Sequence, residues 1–322
     1  MTEKTNRLDI AEVKKVYKNN YSQILGLFMN VQSDFLSGIY NRYNKDLDAA
    51  NIVLYFAKNL HQETLREREN DLEYDISFEN FWNNHGKTRQ KKLKIIEISE
   101  QTGLPKETTR RKVHNLVKTK TLLKDKNTIS WLPAEIHKSS YNSIINQEVG
   151  QLARLIRFFS NQLNYNLSSE KISEDIKKNF SFYWFHYLNT ELKYLRMWHN
   201  KLKDLELLLI SIQCLIQANL SLQKKGAKVE GQGEIKERID ISQSTISATS
   251  ISEITGIPRA TCIRKLEKLY KLKFLKKDAN SKRYYTDFKS SNNASLNSKE
   301  TSEFTMDIFS EFLCLALRTL VK

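Results

Sequence analysis

The sequence predicts a mainly α-helical chain in which one structural unit occurs twice. Three observations support this fold class. The 322 residues include only three prolines and nine glycines, so few positions interrupt helices. Apolar residues recur at intervals of three and four over long stretches, which is the period of an amphipathic helix. A 28-residue segment is repeated without a gap 153 residues later. Hydrophobic residues make up 40% of the chain, which is enough for the cores of about two domains.

The repeat relates residues 98–125, the first copy, to residues 251–278, the second copy. Fifteen of the 28 aligned pairs are identical, including the glycine and the proline of a shared Gly-x-Pro sequence. So many identities over an ungapped stretch indicate an internal duplication.

The duplication predicts three segments: an N-terminal tail over residues 1–20, a first unit over 21–165 and a second unit over 166–322. In each unit a long helix precedes the repeated motif and a closing helix follows it, at residues 141–163 and 303–321. Each closing helix has an apolar face. The predicted inward residues are Ile145, Val149, Leu152, Leu155, Ile156 and Phe159 in the first, and Phe304, Ile308, Phe309, Phe312, Leu315 and Leu320 in the second.

The motif itself, residues 96–120 and 249–273, predicts two short helices joined by a turn. In the second copy the first helix has Ile251 and Ile254 on one side. Gly256 then permits the left-handed conformation that ends a helix. The next helix begins at the proline, because the first turn of a helix needs no N–H there.

The second helix of each motif has one apolar stripe, spaced i, i+4, i+7. The stripe is Thr109, Val113 and Leu116 in the first copy and Cys262, Leu266 and Leu269 in the second. Polar and cationic side chains fall outside the stripe. These are Lys106, Thr108, Arg111 and Lys112 in the first copy, and Arg259, Thr261, Arg264, Lys265 and Lys268 in the second.

A β-hairpin is predicted after each motif, over residues 121–133 and 274–288, because apolar residues flank a polar tip. The tip carries Lys126 in the first copy, and Lys282 and Arg283 in the second.

The positive charge is concentrated in the repeated motifs. The chain has a net charge of +15 and a pI near 9.5. Residues 104–126 and 257–278 each contain eight Lys or Arg and two acids, so together they hold +12 of the +15. Net charge alone is equally typical of a basic protein without an acidic partner. Its concentration favours nucleic acid, since neutralised phosphates release condensed counterions.

The stretch "ISEITGIPRATCIRKLEKLYKLKFL", followed by "KKDANSKRYYTD", resembles the winged helix-turn-helix of bacterial transcription regulators, MarR-like proteins among them. The resemblance implies a three-helix core with a small β-hairpin wing, a second helix that enters the major groove and a wing that touches the backbone. Members of that family usually carry one such domain and dimerise. Here the sequence predicts tandem winged helix-turn-helix domains with extra long helices.

Fourteen residues are predicted to contact double-stranded DNA. They are Lys106, Thr108, Arg110, Arg111, Lys112, Lys126, Arg259, Thr261, Ile263, Arg264, Lys265, Lys268, Lys282 and Arg283. The arginines can bind guanine or phosphate, or simply be solvated. The threonines can bind DNA or cap the helix. Ile263 suits a thymine methyl or a contact between helices.

No catalytic constellation, cofactor motif or metal-ligand spacing is evident, so we expect neither an enzyme nor a metal or cofactor site. Cys262 is predicted to be a core residue. The aromatic stretch at residues 183–198 suits a core, a subunit contact or an effector pocket. The N-terminus lacks the apolar segment of a signal peptide, and the apolar run Leu205–Ile216 is too short to span a bilayer. These features predict a cytoplasmic, nucleoid-associated protein.

The predicted function is sequence-specific binding of double-stranded DNA in transcription regulation, through two half-sites about one helical turn apart. Two alternatives stay open: a plasmid- or phage-type replication initiator, and a structural adaptor whose winged helices bind protein. The sequence also leaves open a homodimer through the terminal or aromatic-rich helices, an effector ligand and the target sequence.

Overall fold

The chain is mainly α-helical, which confirms the predicted fold class at that level. The computed structural model describes residues 8–84, 86, 88, 90–126, 128–131, 138–224, 244–286 and 298–321. Within these ranges it has thirteen helices and two small antiparallel sheets.

The first half of the chain runs from α1 to α7. Its elements are α1 (Ile10–Asn19), α2 (Tyr21–Arg42), α3 (Leu47–Asn70), α4 (Phe78–Asn84), α5 (Ile95–Thr102), α6 (Lys106–Lys118), β1 (Leu122–Asp125), β2 (Thr128–Trp131) and α7 (Lys138–Gln162). The second half continues from α8. Its elements are α8 (Ser169–Lys178), α9 (Phe180–Leu202), α10 (Leu205–Lys224), α11 (Ala248–Thr255), α12 (Arg259–Lys271), β3 (Lys276–Lys277), β4 (Tyr284–Tyr285) and α13 (Lys299–Leu320).

The duplication extends well beyond the 28 aligned residues. α1 and α8 have 10 residues each, α5 and α11 have 8 each, and α6 and α12 have 13 each. A tight turn precedes both α3 and α10 and contains a lysine with positive φ, Lys45 at 65° and Lys203 at 57°. The order of elements is therefore repeated along the chain, and α4 has no counterpart among the described residues.

The predicted N-terminal tail contains a helix. α1 begins at a capping box in which the Asp9 side chain accepts from the backbone and Glu12 bonds back to the Asp9 N–H. Val13 and Tyr17 on one face of α1 are buried, and α1 packs against α13. The capping box and the spacing of these apolar residues are signals that the prediction of a tail overlooked.

The chain divides into two compact units that are not contiguous in sequence. Unit 1 comprises Met1–Ser37, Gln151–Leu167 and Glu206–Lys322, and unit 2 comprises Gly38–Gly150 and Ser168–Leu205. The duplication predicted two contiguous units that meet near residue 165. Instead, each unit contains one copy of the motif and helices from the other half of the sequence. Hydrophobic periodicity predicts a buried face, but it does not identify the helix that covers that face.

The core of unit 2 lies between α3 and α9. α9 carries the aromatic stretch, and its largest side chains are buried: Tyr183, Trp184, Tyr187, Tyr194 and Trp198. Phe180 at the start of α9 stacks on Trp184 with ring centroids 5.1 Å apart. The sequence left open a core, a subunit contact or an effector pocket for this stretch, and these five residues lie in the core.

The core of unit 1 contains α10 and α13. Phe28 of α2 meets Phe309 of α13 edge to face at 4.6 Å, and Gln213 of α10 donates to Ser33 Oγ at 2.8 Å. α10 has 20 residues and is long and apolar enough to cross a membrane, by length and composition alone. The apolar run Leu205–Ile216, which was predicted to be too short, is only the first part of this helix. However, 72% of its most apolar window is buried within the structure, as in the core helix of a soluble protein.

The closing helices are α7 and α13. All six inward residues predicted for α7 are buried. In α13, however, Phe304 is 38% exposed and Leu315 is partly exposed, because the inward face includes Thr305 and Met306 instead. α13 also begins at Lys299, after an N-cap in which Ser298 accepts from the Thr301 N–H.

Candidate nucleic-acid interface

Each copy of the motif joins an 8-residue helix to a 13-residue helix through a left-handed glycine. Gly103 has φ 74° and Gly256 has φ 73°, and their N–H groups bond to the Ser99 and Ser252 carbonyl oxygens at 3.0 and 2.9 Å. A β-carbon is strained in this conformation, so the turn favours glycine. The two turns therefore have the same backbone conformation, as the repeat predicted.

Two details of the turn differ from the sequence prediction. Ile254 is 54% exposed, because the inward side of α11 is formed by Ile251 and Thr255, four residues apart. Pro105 and Pro258 occupy the N-cap position, one residue before the first helical residue. Their φ values of −55° and −54° still suit the approach to a helix.

The predicted inner stripes of α6 and α12 are buried. Thr109, Val113 and Leu116 are at most 6% exposed, and Cys262, Leu266 and Leu269 are fully buried. Thr109 and Cys262 occupy the same repeat position and both bond back to the turn. Thr109 Oγ1 donates to the Pro105 carbonyl at 3.1 Å, and Cys262 Sγ donates to the Ile257 carbonyl at 3.4 Å. Burial, assisted by Glu206, raises the pKa of the Cys262 thiol, which agrees with its predicted core position.

The opposite faces of these helices are polar and cationic. Most of the residues predicted there are exposed, and the two threonines are half-buried. The exposed residues are Lys106, Arg110 and Arg111 on α6, and Arg259, Ile263, Arg264 and Lys268 on α12; the threonines are Thr108 and Thr261. Each helix thus combines a buried stripe with outward hydrogen-bond donors, and Ile263 adds an exposed apolar group.

Lys112 and Lys265 do not belong to this outward face, so their predicted outward position was wrong. Lys265 is only 9% exposed, and its Nζ lies 2.9 Å from Glu206 Oε2. Lys112 is half-buried and pairs with the Asp46 carboxylate. Both lysines lie beside the buried stripe, three residues after its first member. Their side chains therefore extend over the protein surface to the carboxylates of Asp46 and Glu206.

The two acids lie at the starts of the corresponding long helices, although not at the same position of the turn. Asp46 is the N-cap of α3, where its Oδ1 also accepts from the Ala49 N–H at 3.0 Å. Glu206 lies in the first turn of α10. The duplicated lysine therefore ties the second helix of each motif to the start of the long helix of its own unit. The sequence signal was an acid at the start of each long helix, together with a lysine conserved between the two copies.

The outward face of α6 also carries an acidic residue, Glu107, beside its cations. Arg110 donates to the Glu107 carboxylate through Nη2 at 2.8 Å and Nε at 3.0 Å, and this hydrogen bonding lowers the pKa of Glu107. Such an exposed pair contributes little stability. The second copy has Ala260 and Ile263 at these positions. The two outward faces therefore differ in charge and in polarity.

The first hairpin pairs β1 with β2, with Leu122 opposite Trp131. The exposed Lys126 has φ 50° in the turn between the strands. Leu93 forms a bridge to Ile129 and so adds a third strand position that precedes α5. Residues 127, 132 and 133 of the predicted hairpin lie outside the described residues.

The second hairpin pairs β3 with β4, and Ile246 bridges to Tyr284 as Leu93 bridges in the first hairpin. Its longer tip is ordered by Asp278, whose Oδ2 accepts from the Ser281 N–H at 2.7 Å. Lys282, with φ 55°, and Arg283 are exposed at this tip, as predicted. Residues 287 and 288 lie outside the described residues.

Glu267 attaches the second hairpin to α12. Its carboxylate accepts from Lys277 Nζ at 2.5 Å and from the Tyr284 hydroxyl, and these hydrogen bonds lower its pKa. The Lys277 ammonium also lies 5.1 Å from the centroid of the Tyr284 ring. The hairpin is thus positioned beside the helix by polar contacts between side chains.

The outward faces offer guanidinium, ammonium and hydroxyl donors, which suit phosphate oxygens and the acceptors of base edges. Among the residues that the structure describes, no group of three His, Cys, Asp or Glu side chains is arranged to hold a metal ion. In comparisons with known proteins, no protein-family model, no curated protein and no solved structure matches this chain.

Proposed function

We propose that the protein binds double-stranded DNA through two winged helix-turn-helix modules and that it acts as a transcription regulator. One module consists of α5, α6 and the hairpin β1–β2, and the other of α11, α12 and the hairpin β3–β4. The observation that carries the proposal is the duplicated surface. Twice in one chain, a helix with a buried apolar stripe presents cationic side chains on its opposite face.

The dimensions of the helices agree with this role. A helix of 13 residues is about 20 Å long, and the major groove is about 12 Å wide, so it admits one helix. Arg111 and Arg264 lie at the same repeat position and are both exposed. In the proposed complex they donate to guanine or phosphate, while Lys126 and Lys282 at the hairpin tips contact the flanking backbone.

The two modules should prefer different half-sites. Glu107 beside Arg110 gives α6 a carboxylate, which can accept from the amino group of cytosine. At the same positions α12 carries Ala260 and the 40% exposed Ile263, which suits a thymine methyl. We therefore expect a target of two unlike half-sites, in contrast to the palindrome that an identical dimer reads.

Selection from a randomised duplex library tests this proposal. The full-length chain should enrich a bipartite, non-palindromic duplex, and the Ile263→Ala variant should lose preference at a thymine in one half only. Failure to enrich any duplex, or a preference for single strands, would reject the proposal. Mapping the bound genomic sites then separates a regulator, bound at promoters, from a replication initiator, bound at repeated origin sequences.

A further inference from the structure

A cleft of about 620 Å³ lies in unit 2, between the start of α3 and the C-terminal half of α6. It is separate from the outward residues at the start of α6 proposed to contact DNA. Its volume is within the range of about 300–1,000 Å³ typical of small-molecule sites.

The walls of the cleft are cationic. Arg42, Lys112 and Lys118 line it, and Asp46 is the one carboxylate among the described residues that do so. Asp46 pairs with Lys112 and caps α3, so its charge is already used within the fold. Arg42 and Lys118 therefore give the cleft an excess of two positive charges.

Arg42 is held in place by aromatic rings. Its guanidinium carbon lies 5.2 Å from the centroid of the Tyr43 ring and 4.9 Å from that of the Tyr141 ring. Its Nε is buried and has no hydrogen-bond partner among the described residues. Arg42 as a whole is half-buried and lines the cleft, so an anion there would accept from its terminal Nη groups and not from the enclosed Nε.

Three uncharged polar residues of the lining have no uncharged polar counterpart in the second copy. Asn115, Thr119 and Thr121 line the cleft. The corresponding residues 153 positions later are Lys268, Leu272 and Phe274. The lysine that pairs with an acid is thus retained in both copies, whereas the amide and hydroxyl groups are particular to the cleft.

We infer that this cleft binds a small organic phosphomonoester of about the size of a mononucleotide. The dianionic phosphate would accept from the Arg42 guanidinium and the Lys118 ammonium, which form charge-assisted hydrogen bonds. The nearby N-terminus of α3 favours negative charge. Asn115 and Thr121 would bond to the hydroxyl or amide groups of the organic part. This inference goes beyond DNA binding and does not depend on it.

Isothermal titration of the full-length chain without DNA tests the inference, with adenosine 5′-monophosphate as the probe and adenosine as the uncharged control. The monophosphate should bind once per chain and at least about tenfold more tightly than adenosine, since it gains charge-assisted hydrogen bonds. Lys118→Gln should weaken its binding about tenfold or more. Lys118 is exposed, so this change should leave the fold intact. Arg42→Gln should act in the same direction.

Lys124→Gln is the matched control, because Lys124 is an exposed lysine on β1 that does not line the cleft. It should bind the monophosphate as the unaltered chain does. Equal binding of adenosine and its monophosphate, equal affinity of the Lys118 and Lys124 variants, or no binding of the monophosphate would each overturn the inference.

A second titration includes excess duplex DNA. The monophosphate should still bind, because its site lies apart from the outward face of α6. Loss of binding in the presence of duplex would overturn the inference and assign the cleft cations to the DNA surface. Failure of the first titration, by contrast, leaves the proposed DNA binding untouched.

Discussion

Two lysines at one repeat position show that surroundings decide the role of a charged residue. Lys112 and Lys265 are as basic as their neighbours, yet each is directed along the fold to an acid at the start of a long helix. Lys268, one turn of α12 later than Arg264, remains exposed. Cationic residues of one helix therefore divide into those that hold the fold together and those available to a partner.

Replacing Lys265 by Ala should destabilise the protein. It removes the ion pair between Lys265 and the largely buried Glu206 carboxylate, and we expect the free energy of unfolding to fall by about 1–3 kcal/mol. Urea denaturation measures this change. The double variant with Glu206→Gln should recover part of the loss, because an uncharged amide then replaces the carboxylate that paired with Lys265.

Lys268→Ala is the matched control for Lys265→Ala. The free energy of unfolding should change by less than about 0.5 kcal/mol, since the side chain is exposed, whereas affinity for duplex DNA should fall. Equal stability of the two lysine variants would show that Lys265 has no structural role.

Acid should destabilise unit 2 through His61. The buried His61 ring forms a hydrogen bond with Ser181 Oγ and stacks on Phe81. Burial lowers the pKa of His61 from 6.5 to about 3. Below about pH 6.5, His61 becomes protonated in the unfolded chain but stays neutral in the folded chain. The stability contributed by this group is therefore lost as the pH falls from 6.5 toward 3. The slope of this loss approaches about 1.4 kcal/mol per pH unit.

Urea denaturation between pH 7 and pH 4.5 tests the role of His61. His61→Gln should reduce the slope of stability against pH, and His114→Gln, which alters an exposed residue of α6, should not. An unchanged slope in the His61 variant would refute the assignment.

At the scale of single elements, the turn in each motif depends on a left-handed glycine. Gly103→Ala and Gly256→Ala should each reduce stability by about 1 kcal/mol, because alanine disfavours φ near 74°. Gly150→Ala is the opposite control. It lies inside α7 with nothing within 4 Å of an added β-carbon, and should raise stability by about 0.5–1 kcal/mol. Thermal unfolding compares the three variants, and a stabilising change at Gly256 would contradict the described turn.

The elements of the motif could be predicted from the sequence because their signals are local. The Gly-x-Pro turn, the three-residue stripe of Cys262, Leu266 and Leu269 and the lysine at the hairpin tip all depend on neighbours along the chain. The exposure of Ile254 and the burial of Lys265 could not be predicted in this way. Both depend on which helix lies alongside, and such contacts come from distant parts of the sequence.

At the scale of the whole molecule, each of the two units is built from segments of both halves of the sequence. α3 is covered by α9, which follows the first motif by some sixty residues, and α1 packs on the last helix of the chain. The aromatic side chains of α9 are core residues of the unit that contains the first motif. Neither half of the sequence therefore contains a complete unit.

Fragments 1–165 and 166–322 should consequently fail to fold cooperatively when they are produced separately. Fragment 1–165 lacks α9, so the apolar face of α3 would be exposed to water. Mixing the fragments should restore a single unfolding transition with the helix content of the intact chain, as measured by circular dichroism. Cooperative unfolding of either fragment alone would contradict the interleaved units.

The central claim is that the outward cations of α6 and α12 bind duplex DNA. The most direct test measures duplex affinity by fluorescence anisotropy across a range of salt concentrations. Affinity should fall linearly with salt on logarithmic axes. The double variant Arg111→Ala and Arg264→Ala should lose about 1–3 kcal/mol of binding free energy for each arginine. The control, Lys177→Ala with Lys178→Ala, removes two exposed charges from α8 and should bind normally. Absence of duplex binding at low salt, or equal affinity of the two double variants, would contradict the account.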